Sequence, residues 1–136
     1  MSNIEQTLSI IKPDAVERNL ENEIKNIFKN KGFDIVKEKK IQLTKSEAEE
    51  FYKVHETKPF YNDLCAYLSS GPIVVMILEK DKAVTGNREI MGATDPLKAE
   101  EGTIRKKYGI SIDKNSVHGS DSLENAKIEI NFFFKD

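Results

Sequence analysis

Phe33-Asp34-Ile35-Val36-Lys37-Glu38-Lys39-Lys40-Ile41-Gln42-Leu43 is the stretch on which the choice of fold turns. Its β-branched residues favour an extended chain. The charges from Lys37 to Lys40 in its middle are costly to bury without partners, so at least one side of this strand is wet. Strands of parallel sheets are covered on both faces and read as continuous apolar runs, whereas antiparallel sheets accept a solvated side. The wet strand therefore favours an antiparallel α+β sheet with helices on one face.

Working outward, Thr7 to Ile11 reads as a strand ended by Lys12-Pro13. Leu20, Ile24, Ile27 and Phe28 share one helical face that Gly32 stops. Thr44-Lys45-Ser46-Glu47 is a capping box that opens a helix with the stripe Ala48, Phe51, Tyr52 and His55, ended by Pro59. Tyr61, Leu64, Cys65 and Leu68 mark another helix. Ile73 to Leu78 has no polar residue and reads as a central strand buried on both faces. A helix is expected over Ala83 to Met91, then an irregular polar segment over residues 92–113, a short strand at Ser116-Val117-His118, and a final helix with the stripe Leu123, Ala126, Ile130 and Phe133/Phe134. This alternation of strands and helices also permits a parallel doubly wound sheet, and local pattern leaves both arrangements open.

The 136 residues fit one domain, 1–136, large enough to bury a core without disulfides. Lys+Arg 21 against Asp+Glu 23 gives a net charge of −2, so there is no global basic field and nucleic acid is not an expected partner. No apolar run approaches a membrane span, and Met1 to Ile11 lacks the regions of a signal peptide. The single cysteine, Cys65, cannot form an internal bridge, and the expected setting is reducing and cytoplasmic. Eighteen lysines stand against three arginines, Arg18, Arg88 and Arg105, so arginine is kept either by chance or where a planar fork for phosphate matters.

Chemistry concentrates in Asn115-Ser116-Val117-His118-Gly119-Ser120-Asp121-Ser122, which holds one of only two histidines. Gly119 adds no bulk beside the imidazole, the serine hydroxyls can bind oxyanions, and Asp121 or Ser122 opens a helix whose N-terminus is electropositive. A nucleophilic nitrogen beside an anion pocket suits phosphoryl transfer through a histidine. Glu129, between apolar positions on the last helix, either orients one ring nitrogen of His118 or is a solvated helix residue. His118 could also be a turn histidine. A metal site is weakly indicated, with only His55 as a second imidazole and no ligand spacing. Lys12, at a strand end before Pro13-Asp14, could hold phosphate together with the helix-start amides, although the glycines of a P-loop are absent. Arg88, Thr94 and Arg105 flank the polar segment and suit a polyphosphate chain. Phe60 and Tyr61 precede a helix, where an aromatic can stack a base or pack the core. Tyr52 is expected to be buried up to its hydroxyl, and His55 to be structural.

Three stretches taken together, Ile11-Lys12-Pro13-Asp14-Ala15-Val16, Arg88 through Met91-Gly92-Ala93-Thr94-Asp95-Pro96 to Gly102-Thr103-Ile104-Arg105, and Asn115 to Ser122, closely resemble the nucleoside diphosphate kinase family over essentially the whole chain. The resemblance implies a ferredoxin-like α+β fold with a four-stranded antiparallel sheet covered by helices. It implies a homo-oligomer, hexamer or tetramer, that moves the terminal phosphate of a nucleoside triphosphate to a nucleoside diphosphate, with Mg²⁺ on the nucleotide. His118 matches the phosphorylated residue. Lys12, Tyr52, Arg88, Thr94, Arg105 and Asn115 match residues that line the phosphates and ribose, Phe60 the residue that stacks on the base, and Glu129 and Ser120 the supports of the histidine. Asp121 matches a position near the metal, which nucleotide and water mainly hold. A nucleotide-binding or interaction module of the same fold, without turnover, is the alternative. Asn19 and Asn22 stand where glycine is frequent, Glu101 replaces a common proline, and Lys106-Lys107-Tyr108 replaces a segment that often carries an acidic residue. These departures concern loop geometry and subunit contacts.

Overall fold

Among the residues that the computed structural model describes, 4–111 and 114–134, the chain runs β1 (Ile4–Ile11), α1 (Pro13–Glu17), α2 (Glu21–Asn30), β2 (Asp34–Ile41), α3 (Lys45–Phe51), α4 (Tyr61–Leu68), β3 (Ile73–Asp81), α5 (Ala83–Met91), α6 (Ile104–Tyr108), β4 (Val117–Gly119) and α7 (Leu123–Phe133). Short 3-10 turns lie at Lys53–His55 and Pro96–Lys98. Positions 112 and 113, at the close of the expected irregular segment, and the two ends of the expected domain fall outside the described residues.

The sheet order is β2-β3-β1-β4 and each neighbouring pair is antiparallel. This is the ferredoxin-like α+β arrangement, and the doubly wound alternative is excluded. β3 is buried from Ile73 to Leu78 because it is central and both its faces are covered. Val74, Met76 and Leu78 pack with Ile24 and Phe28 of α2, Ala83 and Met91 of α5, and Ile104 of α6. Ile73 and Val75 pack on the other face with Ala48 of α3, Cys65 and Leu68 of α4, and Phe133 of α7. Helices thus cover both faces, not the one face that the wet strand had suggested. The wetness of β2 has another cause: it is an edge strand, bulged between Ile35 and Lys37, with Val36 to Lys40 exposed.

Local signals place most element boundaries. Thr44 caps α3 through the reciprocal pair Glu47 N–H to Thr44 Oγ1 at 3.1 Å and Thr44 N–H to Glu47 Oε1 at 2.9 Å. The α-helix ends at Phe51, before Pro59, and its stripe continues into the 3-10 turn that carries His55. The polar segment is not irregular throughout: Thr103 accepts from Lys106 N–H at 3.3 Å and starts α6, whose Ile104 is fully buried. Asn19 sits at φ 61, the left-handed region that asparagine tolerates better than most residues and glycine best, which accounts for the residue type that is frequent there. Leu123 opens α7 but is 42% exposed and lies outside the core stripe.

Candidate active site

β4 is three residues long and pairs with β1 so that Val117 lies opposite Ile11 and His118 opposite Ile10. Side chains alternate across a strand, so Val117 joins the α5 side of the core and His118 the α3–α7 side. Gly119 then returns to the α5 side. A Cβ there would stand 2.2 Å from Asn87 Nδ2 and 2.7 Å from Met91 Cε. The glycine beside the histidine therefore makes room for α5 to lie against β4, rather than for a ligand to reach the ring.

His118 Nε2 lies 3.0 Å from Glu129 Oε1, and the same carboxylate oxygen accepts from Ser120 Oγ at 2.8 Å. Glu129 is half-buried on α7, so of its two sequence readings the orienting one is the one built. A carboxylate facing Nε2 favours the tautomer that carries its proton there and leaves Nδ1 with a lone pair. Nδ1 has no hydrogen-bond partner among the described residues. Ser120 is fully buried and also faces Leu8 N–H at 3.4 Å, so its hydroxyl supports the carboxylate and is not open to an oxyanion.

The ring of His118 lines a cavity of about 850 Å³ together with Lys12, Tyr52, Phe60, Arg88, Thr94, Arg105 and Asn115. Eight of the sequence-derived positions thus converge on one space. Lys12, between β1 and α1, is 5% exposed and donates from Nζ to Asn115 Oδ1 at 2.9 Å. Asn115 in turn donates from Nδ2 to the Thr94 carbonyl at 3.1 Å. One amide thereby ties the lysine to the 92–95 turn. The helix-start amide expected to share phosphate with Lys12 is not available, because Asp14 N–H donates to Tyr67 Oη at 2.8 Å.

Arg105, on α6, donates to the carbonyls of Gly92 at 3.0 Å and Val117 at 2.8 Å, and so joins the end of α5 to β4. Its Nε is buried without a partner. Burial first, and then the charge of Arg88, push Arg105 down to about 10, which leaves it protonated at neutral pH. Among the described residues no carboxylate pairs with Arg88 or Arg105. Arg88 and Arg105 therefore give the wall cationic character that no described carboxylate neutralises, which suits a polyanion. Tyr52 is 6% exposed, and burial first, then the Glu129 carboxylate, raise its hydroxyl well above the usual range, so it stays a neutral donor. Phe60, 46% exposed at the start of α4, offers an open ring at the mouth.

Not every expectation meets at the cavity. Asp121 is exposed at the start of α7, holds Asn125 Nδ2, and is not among the lining residues. Among the described residues no group of three or more His, Cys, Asp or Glu could hold a metal ion. The donor set fits a cation that arrives on a polyphosphate, not one held by the chain. Arg18 is the arginine that does not serve the cavity: its Nη2 donates to the Tyr108 carbonyl at 2.6 Å and to Asp14 Oδ2 at 3.2 Å. His55, expected to be structural, lines the cavity, with its ring 6.0 Å from that of Phe60. Sequence reasoning also passed over Leu64 and Met91, which read as core positions and double as lining.

A family model described as nucleoside diphosphate kinase matches residues 5–136. Two relatives named nucleoside diphosphate kinase are similar throughout: one from Persephonella marina, 56% identical over 96% of this chain and 94% of its own length, and one from Nitratiruptor, 57% identical over 96% of each. Among solved structures, the nucleoside diphosphate kinase of Aquifex aeolicus superposes with a TM-score of 0.94 at 41% identity, covering 96% of this chain and 95% of that one. The apo enzyme of Encephalitozoon cuniculi superposes with a TM-score of 0.94 at 36% identity, covering 97% and 90%. Similarity of this extent in both sequence and backbone, over a cavity that His118 lines together with Lys12, Arg88 and Arg105, settles the relationship: the chain belongs to the nucleoside diphosphate kinase family.

Proposed function

We propose that His118 carries a phosphoryl group from a nucleoside triphosphate to a nucleoside diphosphate in a two-step exchange. Family membership makes the chain a phosphotransferase and does not favour the alternative of a nucleotide-binding module without turnover. The observation that carries the reading is the 3.0 Å contact of Nε2 with Glu129, in a ring whose other nitrogen is unpartnered and which lines the cationic cavity.

In the first step Nδ1 attacks the γ-phosphorus in line. The N–P bond forms as the bond to the β,γ-bridging oxygen breaks, and the diphosphate leaves with that electron pair. The phosphorylated ring, with its proton kept on Nε2, is cationic, and Glu129 stabilises it without taking the proton. In the second step a terminal oxygen of another diphosphate attacks the same phosphorus, and the electron pair returns to Nδ1. Lys12, Arg88 and Arg105 offset charge on the transferring oxygens, and Tyr52 donates its hydroxyl. Thr94 and Asn115 hold the phosphate and ribose, and Ser120 keeps Glu129 in place. A divalent cation, Mg²⁺ in this reading, would neutralise phosphate charge when bound with the nucleotide, and Asp121 would be the carboxylate to meet it through water. Stacking on Phe60 without edge contacts tolerates any base.

The same reading takes residues 1–136 as one domain that assembles with copies of itself, hexamer or tetramer, in the cytoplasm. Exposed Val36 on the edge strand and exposed Ile110 are apolar surface suited to such contacts. The buried free thiol of Cys65 suits a reducing compartment, and no helix among the described residues is long and apolar enough to cross a membrane. Sedimentation of the purified chain decides the assembly. Incubation with γ-labelled ATP decides the chemistry: the expected result is an acid-labile label on the wild type that passes to added TDP and is absent in His118→Asn. Full exchange by His118→Asn would overturn the reading.

A further inference from the structure

We infer that Phe51 is a positioning residue for the reaction: its ring sets the plane of the His118 imidazole and so the direction of the Nδ1 lone pair. The inference rests on the phosphohistidine reading above. A single hydrogen bond from Nε2 to Glu129 fixes one atom of the ring at 3.0 Å but not the ring's plane. The imidazole can still rock about the line from Cβ to Nε2, and Nδ1 lies off that line. In-line attack on phosphorus needs the lone pair aligned with the breaking bond, so rocking is a direct loss of rate.

The second restraint is aromatic. Phe51 lies 5.4 Å from the imidazole, centroid to centroid, at 75°, and Tyr52 lies 6.4 Å away at 86°. Near-perpendicular rings at these distances are favourable edge contacts, and a ring that abuts two of them resists rotation of its plane. Tyr52 is already assigned to the cavity wall. Phe51 has no polar atom and is not a lining residue; it reaches the reaction through His118 and through the ring of Tyr52, which it meets at 5.0 Å.

Phe51 is itself braced. Its ring meets Phe132 at 5.5 Å and Phe133 at 5.2 Å, and those two meet each other at 4.9 Å. Both belong to α7, three and four positions beyond Glu129, one turn along the same helix. One rigid element therefore supplies the carboxylate that fixes Nε2 and the rings that wedge the ring that fixes the plane. Glu129 acts directly, and Phe132 and Phe133 act through Phe51.

The test compares wild type, Phe51→Leu, Phe51→Tyr and His118→Asn in single-turnover phosphorylation by ATP, with steady-state KM, kcat and thermal midpoints. Phe51→Leu keeps apolar volume but removes the ring, and its phosphorylation rate should fall about tenfold, with nucleotide KM within about twofold of wild type. Phe51→Tyr, which keeps the ring, should restore the rate to within about twofold. Because Phe51→Leu can lose folded protein, Phe132→Leu serves as a second variant, expected to lose rate by a smaller factor with KM again unchanged. A wild-type rate in folded Phe51→Leu, a loss carried by KM, or a loss matched by the fraction unfolded overturns the inference. A wild type that takes no label overturns the phosphohistidine reading instead.

Discussion

Arg105 shows how a single side chain can be unfavourable to the fold and useful to the site. Burial lowers its guanidinium from the usual range to about 10. A base whose value falls on folding binds its proton less tightly in the native chain than in the unfolded one. Its charge thus costs stability at all pH below about 10, and the cost is relieved as pH climbs from there towards the ordinary guanidinium range. In the proposed function a bound polyphosphate would supply the countercharge that no described carboxylate gives Arg105. ADP or tripolyphosphate at a hundredfold excess over Kd should stabilise the wild type by about 2.7 kcal/mol at neutral pH. Arg105→Met should lose most of that gain at the same ligand concentration, read as thermal midpoints with and without ligand. Much of this was legible beforehand, because a flat donor is conspicuous among eighteen lysines. Arg18 marks the limit of that signal: its fork grips Asp14 and a backbone carbonyl, and composition cannot tell a carbonyl from a phosphate. Phe51 was invisible for a related reason, since an aromatic on an amphipathic stripe looks the same whether it meets leucine or imidazole.

Among elements, β4 depends most on its neighbours. Three residues make a weak strand, and it is held by β1 on one side, by Arg105 through the Val117 carbonyl, and by α5 packed against Gly119. Gly119→Ala should therefore destabilise the chain by about 1–3 kcal/mol through overpacking against Asn87 and Met91. It should also slow phosphorylation, because relief displaces the side chains of Asn87 and Met91 on α5, and Met91 lines the cavity. Urea midpoints and single-turnover rates measured together check this, and an unchanged rate in a destabilised variant would remove α5 from the account. The capping box at Thr44, the apolar run of β3 and the bounds of α5 could be read directly, since each rests on contacts within a few residues. Whether β2 was wet from being an edge or from being half-covered could not be, because edge status is decided by strands far along the chain. α6 escaped because its five residues are mostly charged and its stabilising contacts are long-range, although the Thr103 cap was a signal that a closer reading could have used.

At the scale of the molecule, both apolar layers share one sheet. β3 and β1 contribute to each, so neither layer can unfold and leave the other intact. Urea denaturation followed by far-ultraviolet dichroism and by tyrosine fluorescence should give one coincident transition, and separated midpoints would show that the two faces are independent units. The net charge of −2 gives no hint of a cationic interior, because the cations converge only once the strands are paired.

Of the two imidazoles that line the cavity, His118 alone is paired with a carboxylate among the described residues, and in the proposed exchange donor and acceptor occupy the cavity in turn. What leaves after the first half of the cycle is chemically the same kind of molecule as what enters for the second, and the bond broken is the same kind as the bond made. Such a device has almost no thermodynamic preference of its own. It levels phosphorylation potential between nucleotide pools, and the pool in surplus sets the direction of flow.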